Sequence, residues 1–255
     1  MDNQPSVLIT GGTGHIGSQL TAHFLRQGWT VIVPTRQHLS ADDFSASQQL
    51  PSAGRLHLIQ SDLQDEAAAT QIVAFLDHMR LGPHGLINAA RSLKHLELDG
   101  KGQPSRSAWI GEYLLDVVVA YELSLALADQ TGSQLKAIVN IASIYGIVAP
   151  NRELHDDMTR ESLIQYGTAK AALIHLTREL AVHLSDRNIR VNAVSFGGVA
   201  GRADKEFMAR YARLCPSRRM LDTGDAAGPV EFLLSDASGG MTGHNLVVDG
   251  GWTVW

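Results

Sequence analysis

The chain has 255 residues, of which 44% are hydrophobic and 18% are charged, and this content suits one large α/β domain. Its formal net charge is -5 with a pI near 6.1, which disfavours a nucleic-acid partner. The single cysteine, Cys215, excludes an intramolecular disulfide and any CxxC metal site. The N-terminus does not resemble a signal peptide, and no apolar run reaches about 20 residues. We therefore expect a cytoplasmic protein without a membrane segment.

The chain opens with an apolar strand, a glycine-rich turn and a helix. Residues 7–10 predict the strand and residues 18–27 the helix. Between them, Gly12, Gly14 and Gly17 match the spacing G-x-G-x-x-G, in which glycines permit a tight turn and the close approach of a pyrophosphate. The helix N-terminus offers free amide hydrogens to that anion. The residues expected to contact a dinucleotide here are Gly11, Thr13, Gly14, His15 and Ile16.

The end of the second predicted strand, residues 31–33, bears on the choice of coenzyme. An acidic side chain there would accept hydrogen bonds from a ribose diol, but this chain has Thr35 and Arg36. A hydroxyl and a guanidinium suit a 2′-phosphate, which favours NADP(H) and leaves NAD(H) as the alternative. Arg36 has a second interpretation, as a surface arginine that stacks on the adenine without selecting the coenzyme.

The third predicted strand, residues 56–60, is followed by Asp62 and Leu63, which we expect at the coenzyme site. The Asp62 carboxylate has two interpretations. It contacts the adenine amino group, or it caps the helix predicted over residues 65–79.

A long helix, predicted over about residues 163–184, carries the most informative pair of side chains. Tyr166 and Lys170 are four residues apart, so both lie on one face of the helix. A cation beside a tyrosine favours the phenolate, which lets the hydroxyl exchange a proton with an alcohol or a carbonyl. The alternative is a chance pair on a solvated helix face.

The remaining strand candidates complete an alternation of strands and helix-length segments. Residues 86–88, 137–143, 190–194 and 245–248 are mostly apolar runs, typical of parallel strands buried on both faces. We therefore predict a Rossmann-like, doubly wound α/β domain with seven parallel strands. Ligands of such sheets bind at the carboxyl edge of the strands.

The chain resembles a short-chain dehydrogenase/reductase over nearly its whole length. The resemblance rests on residues 10–17, Asp62, Asn88-Ala89-Ala90, Ser143, Tyr166 with Lys170, residues 191–195 and residues 242–251. Together these motifs are far more specific than any one of them. The resemblance implies a single NAD(P)-binding domain over residues 1–255 that pairs into a homodimer or homotetramer, with the long helix or the apolar C-terminal end in an interface.

The resemblance also implies roles for individual residues. Tyr166 becomes the proton donor or acceptor, Lys170 holds the ribose and tunes the phenol, and Ser143 positions the substrate oxygen. The helix-borne catalytic asparagine of the family aligns with Asp116, or alternatively with Val118. Further coenzyme contacts are implied for Asn88, Ala89, Ala90, Gly197 and Val199.

Four residues depart from the family pattern. His15 stands where many members have glycine, and we expect it to contact a phosphate. Ala90 replaces a glycine and brings modest crowding. Asp116 keeps the shape of asparagine, but its charge would perturb a proton-relay water. Phe196 replaces a proline and would face the nicotinamide and substrate region.

The link between Ser143 and Tyr166 is longer than in ordinary members of the family. We call residues 149–162 the insert. Because its ends are fixed at a strand tip and a helix start, we expect the insert to arch over the substrate. We expect His155 to contact the substrate. The alternative for His155 is a solvated loop. Tyr145 belongs to an element similar to one in nucleotide-sugar epimerases and dehydratases, and residues 143–150 resemble oxidoreductases linked to flagellin glycosylation and sialic-acid-like sugars.

The resemblance makes residues 197–219 a mobile lid over the substrate. Within residues 201–219, two acidic residues accompany six basic ones, Arg202, Lys205, Arg210, Arg213, Arg218 and Arg219. A basic lid favours a substrate that carries a carboxylate or phosphate, recognised by Arg210 and Arg213. The alternative is a solvated, arginine-rich helix.

These observations predict an NADP(H)-dependent oxidoreductase that interconverts an alcohol and a ketone, on a substrate that is an anionic or nucleotide-linked sugar. The alternatives are a sugar epimerase that retains its coenzyme and a catalytically weak NADP(H)-binding regulatory protein. No tight spacing of metal ligands occurs among the histidines, so we expect no metal. The expected partners are a small-molecule substrate and further copies of the chain, with no nucleic acid and no membrane.

Overall fold

A single sheet of parallel strands organises the computed structural model, which describes residues 4–50, 55–201 and 203–255. The spatial order of the strands is β3-β2-β1-β4-β5-β6-β7. Their bounds are β1 Ser6–Thr10, β2 Thr30–Thr35, β3 Leu56–Gln60, β4 Gly85–Asn88, β5 Ala137–Ser143, β6 Arg190–Phe196 and β7 Asn245–Val248. The predicted doubly wound, Rossmann-like architecture with seven parallel strands in one domain is confirmed.

Helices cover both faces of the sheet. Their bounds are α1 His15–Arg26, α2 Ala41–Ser47, α3 Ala68–Met79, α4 Arg106–Tyr113, α5 Val119–Asp129, α6 Met158–Glu161, α7 Ile164–His183, α8 Lys205–Leu214 and α9 Ala227–Leu234. A π-helical segment, Leu114–Val118, joins α4 to α5. Within the described residues, no helix combines the length and apolar character needed to cross a membrane.

Alternating side chains of each strand fill two cores, one on either face of the sheet. Val7 and Ile9 of β1 face the core packed by α1 and α9, whereas Leu8 faces the core packed by α3, α5 and α7. Both sets are fully buried, which explains why the strands read as continuous apolar runs.

The order of the strands places the binding crevice. β1 pairs with β2 on one side and with β4 on the other, so the chain changes direction across the sheet at β1. The loops after β1 and β4 diverge from that point and leave a crevice at the carboxyl ends of the strands.

The insert and the lid lie together beyond this edge. The insert contains a 3₁₀ turn, Arg152–Leu154, and α6, and the lid contains α8. A parallel β-bridge between Val199 and Leu221 joins the two ends of the lid. Arg202, one of the six basic residues of the lid, lies outside the described residues.

Candidate active site

A cleft of about 660 Å³ follows the carboxyl edge of the sheet. It is lined by most of the residues that the sequence assigns to the site: Gly11, Thr13, Gly14, His15, Ile16, Thr35, Arg36, Asp62, Leu63, Ala89, Ala90, Ser143, Tyr145, Tyr166, Lys170, Phe196, Gly197 and Val199. Its volume lies in the range of pockets that bind small molecules. Asn88, Asp116, His155, Arg210 and Arg213 do not line it.

The glycine-rich turn forms one wall of the cleft. Gly11 has a φ of +67°, and a Cβ there would lie 2.6 Å from the carbonyl oxygen of Ala89, so this position requires glycine. A Cβ on Gly17 would lie 2.0 Å from the carbonyl oxygen of Gly11, which holds the turn against α1. The turn delivers the N-terminus of α1, with its free amide hydrogens, to the cleft.

His15 uses its side chain within the protein. Its Nε2 lies 2.8 Å from the carbonyl oxygen of Ala200, in the lid. The ring also occupies the space beside Gly201, where a Cβ would lie 2.6 Å from its Cε1. The imidazole therefore connects the glycine turn to the lid, and it also lines the cleft, where the expected phosphate contact stays a prediction.

The end of β2 forms the next part of the wall. Thr35 is buried, and its Oγ1 accepts a hydrogen bond from the backbone N–H of Gln37 at 3.1 Å. The Thr13 and Thr35 hydroxyls lie 3.5 Å apart. Arg36 is exposed, with its guanidinium in none of the hydrogen bonds or ion pairs found among the described residues.

Asp62 lies in the cleft but does not cap α3. Its Oδ1 accepts from the backbone N–H of Gln64 at 3.1 Å, which orders the turn before the helix. The helix begins at Ala68, later than predicted, and has no side-chain cap. The capping interpretation of Asp62 is therefore wrong.

Asn88 supports the cleft from behind rather than lining it. Its Nδ2 donates to Oδ1 of Asn140 at 2.8 Å, and Asn140 in turn donates to Thr177 at 2.9 Å. The Thr10 hydroxyl accepts from the backbone N–H groups of Ala89 and Ala90, at 3.0 and 3.1 Å. These bonds fix the segment that packs against the glycine turn.

Ser143, Tyr145 and Tyr166 converge at the centre of the cleft. Ser143 ends β5, and its Oγ accepts from the backbone N–H of Tyr145 at 3.2 Å, so the hydroxyl hydrogen is free to point elsewhere. Burial, with a smaller contribution from Tyr166, raises the pKa of Tyr145 to about 12. Tyr145 is therefore a hydrogen-bond donor over the whole physiological range.

Lys170 is buried, and two of its three N–H groups have partners among the described residues. Its Nζ donates to Oδ1 of Asp116 at 2.8 Å and to the carbonyl oxygen of Ile141 at 2.9 Å, and it lies 5.7 Å from the centroid of the Tyr166 ring. Asp116 is only 4% exposed and lies in the π-helical segment. Since Asp116 is the side chain bonded to Lys170, the alignment with Asp116 fits the geometry, and the alternative with Val118 does not.

Two charged residues of this region escaped the sequence analysis. Arg91 lines the cleft with its guanidinium carbon 4.4 Å from the centroid of the Tyr166 ring, in the geometry of a cation–π contact. Glu112 of α4 is 1% exposed. No spacing in the chain links Arg91 or Glu112 to Tyr166; only the packing of the loop after β4 and of α4 against α7 brings them together.

The far end of the cleft is formed by the ends of β6 and the lid. Phe196 ends β6 and is 3% exposed. A Cβ on Gly197 would lie 2.8 Å from the hydroxyl of Tyr211, which accepts a hydrogen bond from the backbone N–H of Gly198 at 2.9 Å. Tyr211 stacks on Trp252 with ring centroids 4.2 Å apart, so the C-terminal segment supports the lid.

The insert does not lie over the cleft as expected. None of its described residues lines the cleft, because the insert packs against α8 instead. His155 bonds to Glu161 at 3.1 Å and lies against the ring of Phe207, which itself lines the cleft. The side chain of Phe207 therefore separates His155 from the cleft.

The lid arginines also face away from the cleft. Arg210 donates to Oδ1 of Asp156 in the insert at 2.9 Å. Arg213 is exposed on the outer side of α8. The expectation that these two arginines meet the substrate does not match the structure, in which Arg91 is the cation nearest to Tyr166. In the described parts of the chain, no three metal-ligating side chains come together.

Known proteins resemble this chain over most of its length. A family model described as enoyl-(acyl carrier protein) reductase matches residues 13–253. The probable galactose dehydrogenase GalD of Rhizobium meliloti is 31% identical over 261 aligned positions, which cover 96% of this chain and 93% of that protein. The post-translational flagellin modification protein A of Campylobacter coli is 42% identical over 115 residues, 45% of each chain.

Solved structures share the same architecture. A short chain dehydrogenase of Leptospira borgpetersenii with bound NAD+ matches with a TM-score of 0.85 and 27% identity, over 98% of this chain and 93% of that one. The partial match to the flagellin protein agrees with the branch suggested by residues 143–150.

Proposed function

The chain belongs to the short-chain dehydrogenase/reductase family and is an oxidoreductase that acts on CH–OH groups with a nicotinamide coenzyme, and we propose that this coenzyme is NADP(H) and that the substrate is an anionic or nucleotide-linked sugar. The observation that carries the proposal is the position of two exposed arginines in the cleft that contains Ser143, Tyr166 and Lys170: Arg36 lies at the end of β2 and Arg91 lies beside Tyr166.

The residues of the cleft fit a dinucleotide. The glycine turn has backbone where side chains would clash, and the N-terminus of α1 suits a pyrophosphate. Thr13, Thr35 and Arg36 would hold a 2′-phosphate, because β2 ends without a carboxylate that would repel it. When bound, the nicotinamide supplies or accepts the hydride.

The chain's own residues handle the proton and the substrate oxygen. In reduction, the Tyr166 hydroxyl donates its proton to the carbonyl oxygen, and the Ser143 hydroxyl donates a hydrogen bond to the same oxygen. The Lys170 ammonium stabilises the resulting tyrosinate by its positive charge. In oxidation the same groups act in reverse.

Arg91 supports an anionic substrate. Its guanidinium is exposed in the cleft beside Tyr166, where a carboxylate or phosphate on the substrate can form a bidentate pair with it. Such a pair would place the anionic group within a few bonds of the reacting carbon. In this proposal Arg91 replaces Arg210 and Arg213 as the anion-recognising residue.

The test uses purified protein, NADPH or NADH, and a panel of CMP- or GDP-linked keto sugars and simple ketones, with coenzyme oxidation followed by absorbance. We expect turnover that prefers NADPH and a charged substrate. Tyr166→Phe should lower kcat by about 10²–10⁴-fold and leave NADPH affinity nearly unchanged. Tyr121→Phe, which alters an exposed tyrosine of α5, is the matched control.

Two results would contradict this proposal. Full turnover in Tyr166→Phe would show that another group moves the proton. Coenzyme that stays bound and is never consumed while a sugar changes configuration would identify an epimerase instead.

A further inference from the structure

Glu112 is a buried carboxyl group that has no hydrogen-bond partner in the described part of the chain. It is 1% exposed, and neither carboxylate oxygen has a hydrogen-bond partner among the described residues. An ionised carboxylate in such a place is costly, and protonation removes that cost. Burial, followed by the charge of Asp116, raises the pKa of Glu112 to about 7.

Glu112 and Asp116 form a pair of carboxyl groups beside Lys170. They are four residues apart on the continuous helix made by α4 and the π-helical segment, so they share one face of it. Asp116 binds Nζ of Lys170 through Oδ1, while its buried Oδ2 lacks a partner in the described part of the chain. A proton on Glu112 avoids two adjacent buried negative charges.

The charged neighbours of Glu112 come from every element packed on α4. Asp116 lies on the same helix, Arg91 on the segment after β4, and Lys170 with Tyr166 on α7. His95 lies on the 3₁₀ turn that follows β4, with its ring against Gly111. Burial lowers the pKa of His95, ahead of smaller effects from Lys94 and Arg36, so the ring is neutral near pH 7.

We propose that Glu112 holds the proton that restores Tyr166 after each reduction, with Asp116 and Lys170 as the connecting groups. The inference rests on the proposed function. In each turnover the Tyr166 O–H bond breaks as the alcohol O–H bond forms. One N–H bond of Lys170 breaks as the Tyr166 O–H bond re-forms, and Lys170 regains a proton from Glu112 through Asp116. The Glu112 carboxylate then takes a proton from solvent. Glu112 acts only through Asp116 and Lys170, as a positioning residue for this proton.

The first measurement is an infrared titration of the protein without added coenzyme, from about pH 5 to about pH 9. We expect the carbonyl band of a buried carboxylic acid that disappears near pH 7. The band should be missing in Glu112→Gln and present in Glu122→Gln, a change at a half-buried glutamate farther along the same helical run. A Glu112 carboxyl that ionises near its ordinary value, about 4.3, overturns the inference.

The second measurement is the pH dependence of kcat for carbonyl reduction. In the unmodified enzyme kcat should fall as the pH rises through 7, because Glu112 loses its proton. Glu112→Gln should remove this limb and lower kcat about tenfold at pH 6, with KM little changed, whereas Glu122→Gln should keep the limb.

An unchanged pH profile in Glu112→Gln would show that Glu112 is only structural. The titration needs neither coenzyme nor substrate, so its failure overturns this inference alone. An absence of turnover in the unmodified enzyme would overturn the proposed function and, with it, the inference.

Discussion

Glu112 links the stability of the protein to pH through a single side chain. Its pKa of about 7 in the folded state lies above the value of 4.5 for a carboxyl group exposed to water. The folded protein therefore binds a proton that the unfolded chain releases at the same pH. The stabilisation that this causes is complete below pH 4.5 and is lost as the pH rises through 7.

Glu112→Gln should remove this dependence. Above pH 7 the variant avoids a buried carboxylate, and we expect its free energy of unfolding to exceed that of the unmodified protein by about 2 kcal/mol, after allowing for water near the group. Near pH 5 the two proteins should be nearly equal. Urea unfolding at pH 5 and at pH 8.5 measures the difference, and a difference of the same size at both pH values would contradict the assignment.

At the scale of elements, the insert and the lid form one unit. Leu154 of the insert is fully buried in a cluster with Tyr211 of α8, Met220 and Trp252. Asp156 and Arg210 join the same two segments by an ion pair. Because Phe207 and Tyr211 of α8 line the cleft, the insert shapes the substrate site through the lid rather than by direct contact.

Asp156→Asn should loosen this unit. Arg210 is 20% exposed, so loss of its partner leaves a partly buried cation on α8 of the lid. We expect KM for the substrate to rise about threefold to tenfold, with kcat changed less and the free energy of unfolding lowered by less than about 1 kcal/mol. Asp129→Asn removes an ion pair to Arg187 on the far side of the molecule and is the control. Equal KM values in the two variants would show that the insert has no influence on the site.

The elements differ in how far the sequence specifies them. The predicted bounds of β3, β5 and β7 match the structure, because apolar runs and the turns beside them are local signals. β2 and β6 extend beyond their predictions, since Pro34, Thr35, Ser195 and Phe196 join the sheet through pairing with neighbouring strands. The prediction that the insert lies directly over the cleft is wrong for a related reason. A loop fixed at both ends has many possible paths, and burial of Leu154 against α8 selects one that the sequence pattern does not contain.

The candidate site also contains some residues that local sequence signals identify and others that they do not. The glycine turn, Ser143, Tyr166 and Lys170 carry local spacing signals, and all of them line the cleft. Arg91 and Glu112 reach the site only through the packing of separate elements. The outward direction of Arg210 depends on its pairing with Asp156, which is 54 positions away. Charge composition alone could not assign a direction to that side chain.

At the scale of the whole molecule, the outer surface carries an apolar stripe on the helical run from α4 to α5. Ile110, Tyr113 and Tyr121 are 61%, 50% and 45% exposed. Their spacing of three and then eight residues places them along one side of the helix, and Trp109 lies next to them with 39% exposure. A contiguous apolar stripe of this kind is typical of a surface that another protein covers.

The family resemblance predicts a dimer or tetramer, and Ile110→Lys tests whether a second copy of this chain covers this stripe. In an isolated subunit the change is mild, because Ile110 is already mostly in water. In a symmetric dimer, two-fold symmetry would bury two lysines in the same contact, at a cost of several kcal/mol. Light scattering after size-exclusion chromatography should therefore give a dimer or tetramer for the unmodified protein and smaller species for Ile110→Lys.

Met79→Lys, at an exposed methionine ending α3, should leave the mass unchanged. A variant that keeps the full mass would show that the subunits meet elsewhere, with the C-terminal Val254 and Trp255, 73% and 78% exposed, as the next surface to alter.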